Sequence, residues 1–258
     1  MINFDYLENN KEELRLKYLT NKPFSYLVID LFCDEEKLKM MKSQIPELTN
    51  KSRDYMFANN KFEKSNYKEL GPLFEEIYED LRSKRFNDFL SFISAKDVFV
   101  DPKNHGGGLH QGKKNSFLDM HLDFNYHPIN KNWYRQMNLL LYLNEDWKEE
   151  YGGHLKIEDL RSGEKDEIGV PFNRLIIQEC GPYTLHGYDM TSFPEGNYRT
   201  SLATYAYSKH NQLMEKPRTT DWFPNNEASS TKKFIAKHYD KAVKIKNKFL
   251  GSGTAKNQ

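Results

Sequence analysis

The rhythm of apolar positions divides the chain into three stretches. Between residues 67 and 95, Leu70, Leu73, Phe74, Ile77 and Leu81 recur at three- and four-residue steps, which lines one side of a helix. Gly71-Pro72 interrupts the start of that pattern. Earlier, Asp34 is placed to cap a helix over residues 35–45 that Pro46 ends. Residues 25–32 form a short apolar run of strand type. Residues 1–96 are therefore expected to be a mostly helical support layer. From residue 97 the period shortens. Short β-type runs at 97–101, 117–126, 135–144, 154–159, 173–179, 183–188 and 199–208 are separated by glycine- and proline-bearing turns. Strands at this spacing without intervening helices predict an antiparallel barrel or sandwich over 97–208. In the remaining stretch, 209–258, Ser229 or Ser230 can cap a helix that places Ile235, Tyr239, Ala242, Ile245 and Phe249 on one face.

Composition adds limits. The 258 residues suit one domain. Lys and Arg number 38 against 37 Asp and Glu, a balance that gives no support to nucleic-acid binding. Lysines crowd the C-terminal helix, but that balance favours a helix packed on the domain with a solvated lysine face over a membrane or nucleic-acid surface. No run approaches the length of a membrane span. The two cysteines, Cys33 and Cys180, are too few for a disulfide scaffold and are expected reduced and buried. Without a signal-like start, the expected location is the cytoplasm.

Six of the eight histidines fall between His105 and His186, inside the strand-rich stretch, and so mark where chemistry is expected. The pair His121-x-Asp123 arises readily by chance; its context carries more. In a strand over 117–126, Asp119, His121, Asp123 and Asn125 share one face and Leu118, Met120, Leu122 and Phe124 the other. A polar row facing a barrel interior needs a partner, because an unpaired buried carboxylate is costly. A divalent metal supplies one. His186 is the best third ligand, from a later strand. Two imidazoles and a carboxylate form the facial triad of non-haem iron(II) oxygenases, with positions left open.

The order of these pieces carries a resemblance. HLDF at 121–124, NLLLYLNEDW and GGHLKI across 138–157, NRLIIQE at 173–179, TLHGY at 184–188 and RTSLATYAYS at 199–208 resemble the prolyl-4-hydroxylase-like branch of the 2-oxoglutarate/Fe(II) oxygenase superfamily. The resemblance spans about residues 97–208 and implies a double-stranded β-helix (jelly-roll) core, mainly β with helices supporting it. It implies Fe(II) and 2-oxoglutarate, with O₂ and with ascorbate as a supporting reductant. Arg199 stands where the family's basic residue meets the far carboxylate of 2-oxoglutarate. Its planar fork suits that task. Ser201, on the same strand face, and Tyr142 are expected beside it. Gly152-Gly153 matches a turn and reads as structural.

The implied reaction is hydroxylation of an unactivated C–H bond. The carboxylate of Asp123 disfavours halogenation, for which related enzymes carry a small residue there. The branch suggests peptidyl or free proline as substrate, or another amino acid or small metabolite, with no nucleic-acid or membrane partner. A non-catalytic metal-binding barrel is the rival reading, as is a barrel enzyme working without 2-oxoglutarate; Arg199 argues against the latter. Asp119 and Asn125 are expected as partners of the ligands or as ordinary polar packing. His110, His127 and His154 are expected at the surface or behind the site, and Arg135 in a salt bridge. Segments 104–114 and 125–136 are expected to shape the pocket, with Trp133 and Tyr134 either as a lid or as caps on the core.

Overall fold

The computed structural model describes residues 1–48, 56–65, 67–224 and 228–250. Helices α1 (Phe4–Asn9), α2 (Lys11–Thr20), α3 (Glu35–Ser43), α4 (Pro72–Arg82) and α5 (Lys84–Ser94) form the supporting layer. Asp34 caps α3 by accepting the Lys37 amide at 2.9 Å. Gly71-Pro72 begins α4 rather than disturbing it. Pro72 occupies the first turn, where no amide hydrogen bond is lost.

Eleven strands are described: β1 (Tyr26–Ile29), β2 (Ala58–Lys64), β3 (Phe99–Val100), β4 (Gly108–Leu122), β5 (Trp133–Tyr142), β6 (Leu155–Asp159), β7 (Lys165–Ile168), β8 (Arg174–Glu179), β9 (Thr184–Tyr188), β10 (Arg199–Lys209) and β11 (Asp221–Phe223). They follow the order β1-β8-β5-β10-β4-β9-β6-β7, with β2 and β11 also on β4 and β3 on β10. Every pairing is antiparallel. β4 joins the two halves of the curled sheet: residues 108–112 pair with β10, and residues 118–121 with β9. The result is the expected mainly β jelly-roll core with helical support. The sequence pattern did not predict β2, β7, β11 or the first half of β4.

Alternation along β5 assigns its faces. Met137, Leu139 and Leu141 join the main core, with Phe74, Ile77, Leu81, Phe86, Leu90 and Ile93 of α4 and α5. A fully buried side chain of this size contributes roughly 1.5–3 kcal/mol. Asn138, Leu140 and Tyr142 point the other way, into the barrel. There Tyr142, Leu155, Ile157, Ile168, Val170 and Ile176 form a smaller cluster.

Helix α6 (Ser230–Leu250) packs through Ala236 and Tyr239 against Phe57 and Trp222. Ser229 caps it. Its docking side differs from the expected face: Ile235 is 37% exposed, and Ala242 is exposed. The side chains of Ile245 and Phe249 lie outside those described. Among the described residues no helix is long and apolar enough to cross a membrane. Cys33 and Cys180 are free and buried.

Candidate metal and co-substrate site

β4 and β9 bring two histidines face to face. His121 and His186 are partners in the ladder, and their ring centroids are 4.2 Å apart. Asp123 follows just past the end of β4. Its Oδ1 lies 3.7 Å from His121 Nε2 and its Oδ2 3.3 Å from His186 Nε2. All three donor atoms fall within 4.8 Å of one another.

The tautomer of His121 follows from its neighbour. Its Nδ1 is 2.9 Å from the Asp119 carbonyl oxygen. A carbonyl only accepts, so Nδ1 carries the hydrogen and Nε2 turns a lone pair towards Asp123. Burial holds both rings neutral, and His186 is pushed down to about 3 by burial and by His121. His186 Nδ1 is buried with no hydrogen-bond partner. Neutral imidazole lone pairs beside an ionised carboxylate are an arrangement that a cation completes. The N₂O set with neighbouring open space suits Fe(II).

Asp123 stays ionised although burial opposes it. The Arg135 guanidinium, aided by the hydrogen bond from Asn138, holds its carboxyl far below the usual range. Arg135 Nη2 and Asn138 Nδ2 donate to Asp123 Oδ2 at 2.9 and 2.8 Å. Arg135 is 1% exposed, and its guanidinium lies 3.5 Å from the Tyr205 ring centre. A register shift in the β5–β10 ladder between Met137 and Arg135 turns Arg135 to the pocket side, against simple alternation. The expected salt bridge of Arg135 is present; its partner, Asp123, was not foreseen.

Arg199 opens β10 and is buried. Its Nε donates to the Gly153 carbonyl at 2.6 Å and its Nη2 to the Tyr142 hydroxyl at 3.2 Å. Its guanidinium also lies 4.0 Å from the Tyr188 ring centre. Gly153 does more than form a turn. Its φ is +75°, and a Cβ there would sit 3.0 Å from Arg199 Cδ. Ser201 is opposite Tyr142 on one side and His110 on the other. His121, Asp123, His186, Arg199, Tyr142 and Ser201 all line one pocket of about 630 Å³, counting its open mouth.

Other expectations are corrected. A bulge between Leu118 and His121 turns Asp119 out of the polar row. Its side chain pairs with Lys232 of α6 at 2.6 Å, while its carbonyl orients His121. Asn125 holds the return segment, bonding the Lys216 carbonyl and the Arg218 amide, each at 2.9 Å. His110, expected at the surface or behind the site, lines the pocket and is pushed down to about 4 by burial and Lys61. His154 pairs with Glu149 at 2.6 Å near the surface, as expected. Trp133 and Tyr134 form no lid. Trp133 packs on Phe99 and His127 at ring distances of 4.7 and 4.9 Å, and Tyr134 bonds Glu215. Segment 104–114 is largely strand, paired by β2 and β10.

A second histidine–aspartate group, Asp101, His105 and His127, is fully buried. It is a hydrogen-bonded clasp. The amides of Ile129 and Asn130 donate to His127 Nδ1 at 3.2 and 2.8 Å. His127 Nε2 therefore carries the proton and donates to Asp101 at 3.2 Å, leaving no lone pair there for a cation.

Comparison with known proteins agrees with this geometry. The sequence model of the 2OG-Fe(II) oxygenase superfamily matches residues 107–207. The fold is similar to that of a prolyl 4-hydroxylase of Phytophthora capsici, at 17% identity and a TM-score of 0.54, covering 81% of this chain and 66% of that one. This chain thus spans just under two thirds of the length of that relative. A Pseudomonas putida prolyl-4-hydroxylase is similar at 13% identity and a TM-score of 0.54, covering 78% of this chain and 100% of that one. A Trichoplax adhaerens prolyl hydroxylase, solved with a hypoxia inducible factor peptide fragment, is similar at 12% identity and a TM-score of 0.54, covering 79% and 91%. A search of the curated proteins found no match. Residues 107–207, the part of the chain that matches the 2OG-Fe(II) oxygenase superfamily model, carry the barrel strands and the histidine–aspartate site.

Proposed function

We propose that the chain is a hydroxylase in which His121, Asp123 and His186 hold Fe(II) and Arg199 holds the far carboxylate of 2-oxoglutarate. The observation that carries this reading is the tautomer of His121. Its Nδ1 hydrogen is committed to the Asp119 carbonyl, so Nε2 is free to coordinate. The metal, when bound, supplies activation of O₂ at the expense of 2-oxoglutarate. Overall, 2-oxoglutarate, O₂ and R–H give succinate, carbon dioxide and R–OH.

The chain's own residues supply position and charge. Arg135 and Asn138 fix the Asp123 carboxylate and keep it ionised. Gly153 and Tyr142 hold Arg199 by one hydrogen bond each, which leaves further guanidinium N–H groups for a carboxylate. Burial raises the Tyr142 phenol, so it remains a donor. Ser201 adds a hydroxyl on the same pocket wall. The likeness to prolyl hydroxylase folds supports peptidyl or free proline as substrate, with another amino acid or small metabolite as the alternative. The helical layer 1–96 and the extension 209–258 belong to one oxygenase domain on this reading, and two free cysteines suit the cytoplasm.

The test is succinate release from 2-oxoglutarate by the purified chain. It should require added Fe(II) and vanish in Asp123→Ala. Release that persists without Fe(II), or in that variant, would remove the assignment.

A further inference from the structure

Of the three proposed ligands, His121 lies in β4 and His186 in β9, but Asp123 lies one residue past the end of β4. Gly181 lies in the turn that leads into β9. One side chain of the return segment joins these two places. Arg218 Nε donates to the Asp123 carbonyl at 2.9 Å, and its Nη2 donates to the Gly181 carbonyl at 3.1 Å. Its Nη1 donates to Glu215 Oε2 at 2.8 Å, and Glu215 Oε1 accepts from the Tyr134 hydroxyl at 2.6 Å. The Arg218 side chain is 11% exposed. Each nitrogen of its planar fork is engaged, which fixes the two carbonyls relative to one another.

The segment that carries Arg218 is itself tied down. Asn125 bonds the Lys216 carbonyl and the Arg218 amide, and the Tyr126 hydroxyl accepts the Met214 amide at 2.7 Å. From α6, Asp240 accepts from the Thr219 amide and hydroxyl, each at 2.8 Å, and Lys244 donates to the Pro217 carbonyl at 2.8 Å. Arg218 also lies beyond residues 107–207, which match the oxygenase model.

A carboxylate ligand is placed by its backbone as well as by its own hydrogen bonds. Arg135 and Asn138 act on the Asp123 carboxylate. Arg218 acts on the backbone behind it, where the strand has ended. We propose that Arg218 is a positioning residue for the metal: it fixes the Asp123 backbone against the entry to β9, so that the carboxylate and the two imidazoles keep one coordination geometry. This rests on the reading that Asp123 ligates Fe(II), and it makes the C-terminal extension part of the metal site. Supporting contacts of this kind hold a ligand to within about 0.5 Å of its working position.

The experiment uses the full chain and two readouts. Anaerobic titration gives Fe(II) affinity, and the visible absorption of the Co(II)-loaded chain reports ligand geometry. Arg218→Met should lower Fe(II) affinity about 10- to 100-fold and shift the Co(II) bands. Asp240→Ala is the comparison. It releases the same segment from α6 but leaves the Arg218 fork in place, so its Fe(II) affinity and Co(II) bands should match the wild type. An equal loss in Asp240→Ala would assign the effect to a loosened segment and overturn the proposal. So would wild-type affinity and bands in Arg218→Met. Should Arg218→Met not fold, Arg218→Lys carries the test. Its ammonium keeps the charge beside Glu215 but cannot meet both carbonyls at fixed angles. The Co(II) bands should still shift, and wild-type affinity and bands in Arg218→Lys would overturn the proposal. A wild-type chain that binds no Fe(II), or Fe(II) binding unaltered in Asp123→Ala, fails earlier, at the metal reading, and the Arg218 proposal falls with it.

Discussion

A histidine reaches a metal only through a nitrogen that carries no proton, and a single backbone carbonyl settles this at His121. The same reasoning removes His127 from the ligand set, although its group resembles a metal site in composition. Around the carboxylate, Asn138→Ala should lower Fe(II) affinity about 10- to 100-fold without unfolding the chain; anaerobic metal titration measures it. An unchanged affinity would show that Asp123 needs no orienting partner. Arg199→Met should weaken 2-oxoglutarate about 10- to 100-fold while Fe(II) binding persists, read by titration of the metal-loaded chain. At this scale the sequence was informative where side chains alternate without interruption. His121 and Asp123 sit two apart past the bulge, and Tyr142 and Ser201 face each other across a regular ladder. It was silent where bulges turn a residue over. Arg135 enters the pocket, and Asp119 leaves it, for that reason. Gly153 was legible as a turn glycine, but nothing local announces that Arg199 fills the space its missing Cβ leaves.

At the scale of elements, β4 does the most to build the site, because its two halves belong to two differently paired parts of the sheet. Its first half, GLHQGKK, has little apolar alternation and becomes strand only through β2 and β10 on either side. β2 itself reads ANNKFEK, with no strand pattern to find, which is why Lys61 could not be placed from sequence. The C-terminal pair β11 and α6 backs His121, one of the proposed metal ligands. Trp222 stacks on Phe57 at 4.9 Å and lies 4.9 Å from the His121 ring. Trp222→Ala should cost about 3–5 kcal/mol in urea unfolding, whereas Phe234→Ala, 65% exposed on α6, should cost less than about 0.5 kcal/mol. Equal costs would mean that α6 docks through another face. The helix itself was legible from Ser229 and its period. Its docking side was not, because Ala236 meets β11 where the pattern favoured Ile235.

Across the whole molecule, helices cover one face of the sheet and the other face closes over the site. The Asp101 clasp ties the segment after β3 to the segment after β4 and to Tyr207 of β10. Burial opposes ionisation of Asp101, but hydrogen bonds from His127, from the Lys103 and His105 amides and from the His105 ring pull it down to about 2. A carboxyl lowered on folding stabilises the fold above its ordinary value of 3.8 and loses that contribution as pH falls through about 2. Between those values the wild type should lose about 2 kcal/mol more than Asp101→Asn in urea unfolding; parallel losses would remove the clasp from the acid limb. The central claim is that one site binds Fe(II) through His121, Asp123 and His186 and then 2-oxoglutarate through Arg199. Its most direct test is an anaerobic titration of 2-oxoglutarate into the purified chain with and without Fe(II). Saturable binding that requires Fe(II) and disappears in Asp123→Ala is the predicted result. No binding to the metal-loaded wild type, or binding unaltered in Asp123→Ala, would contradict it.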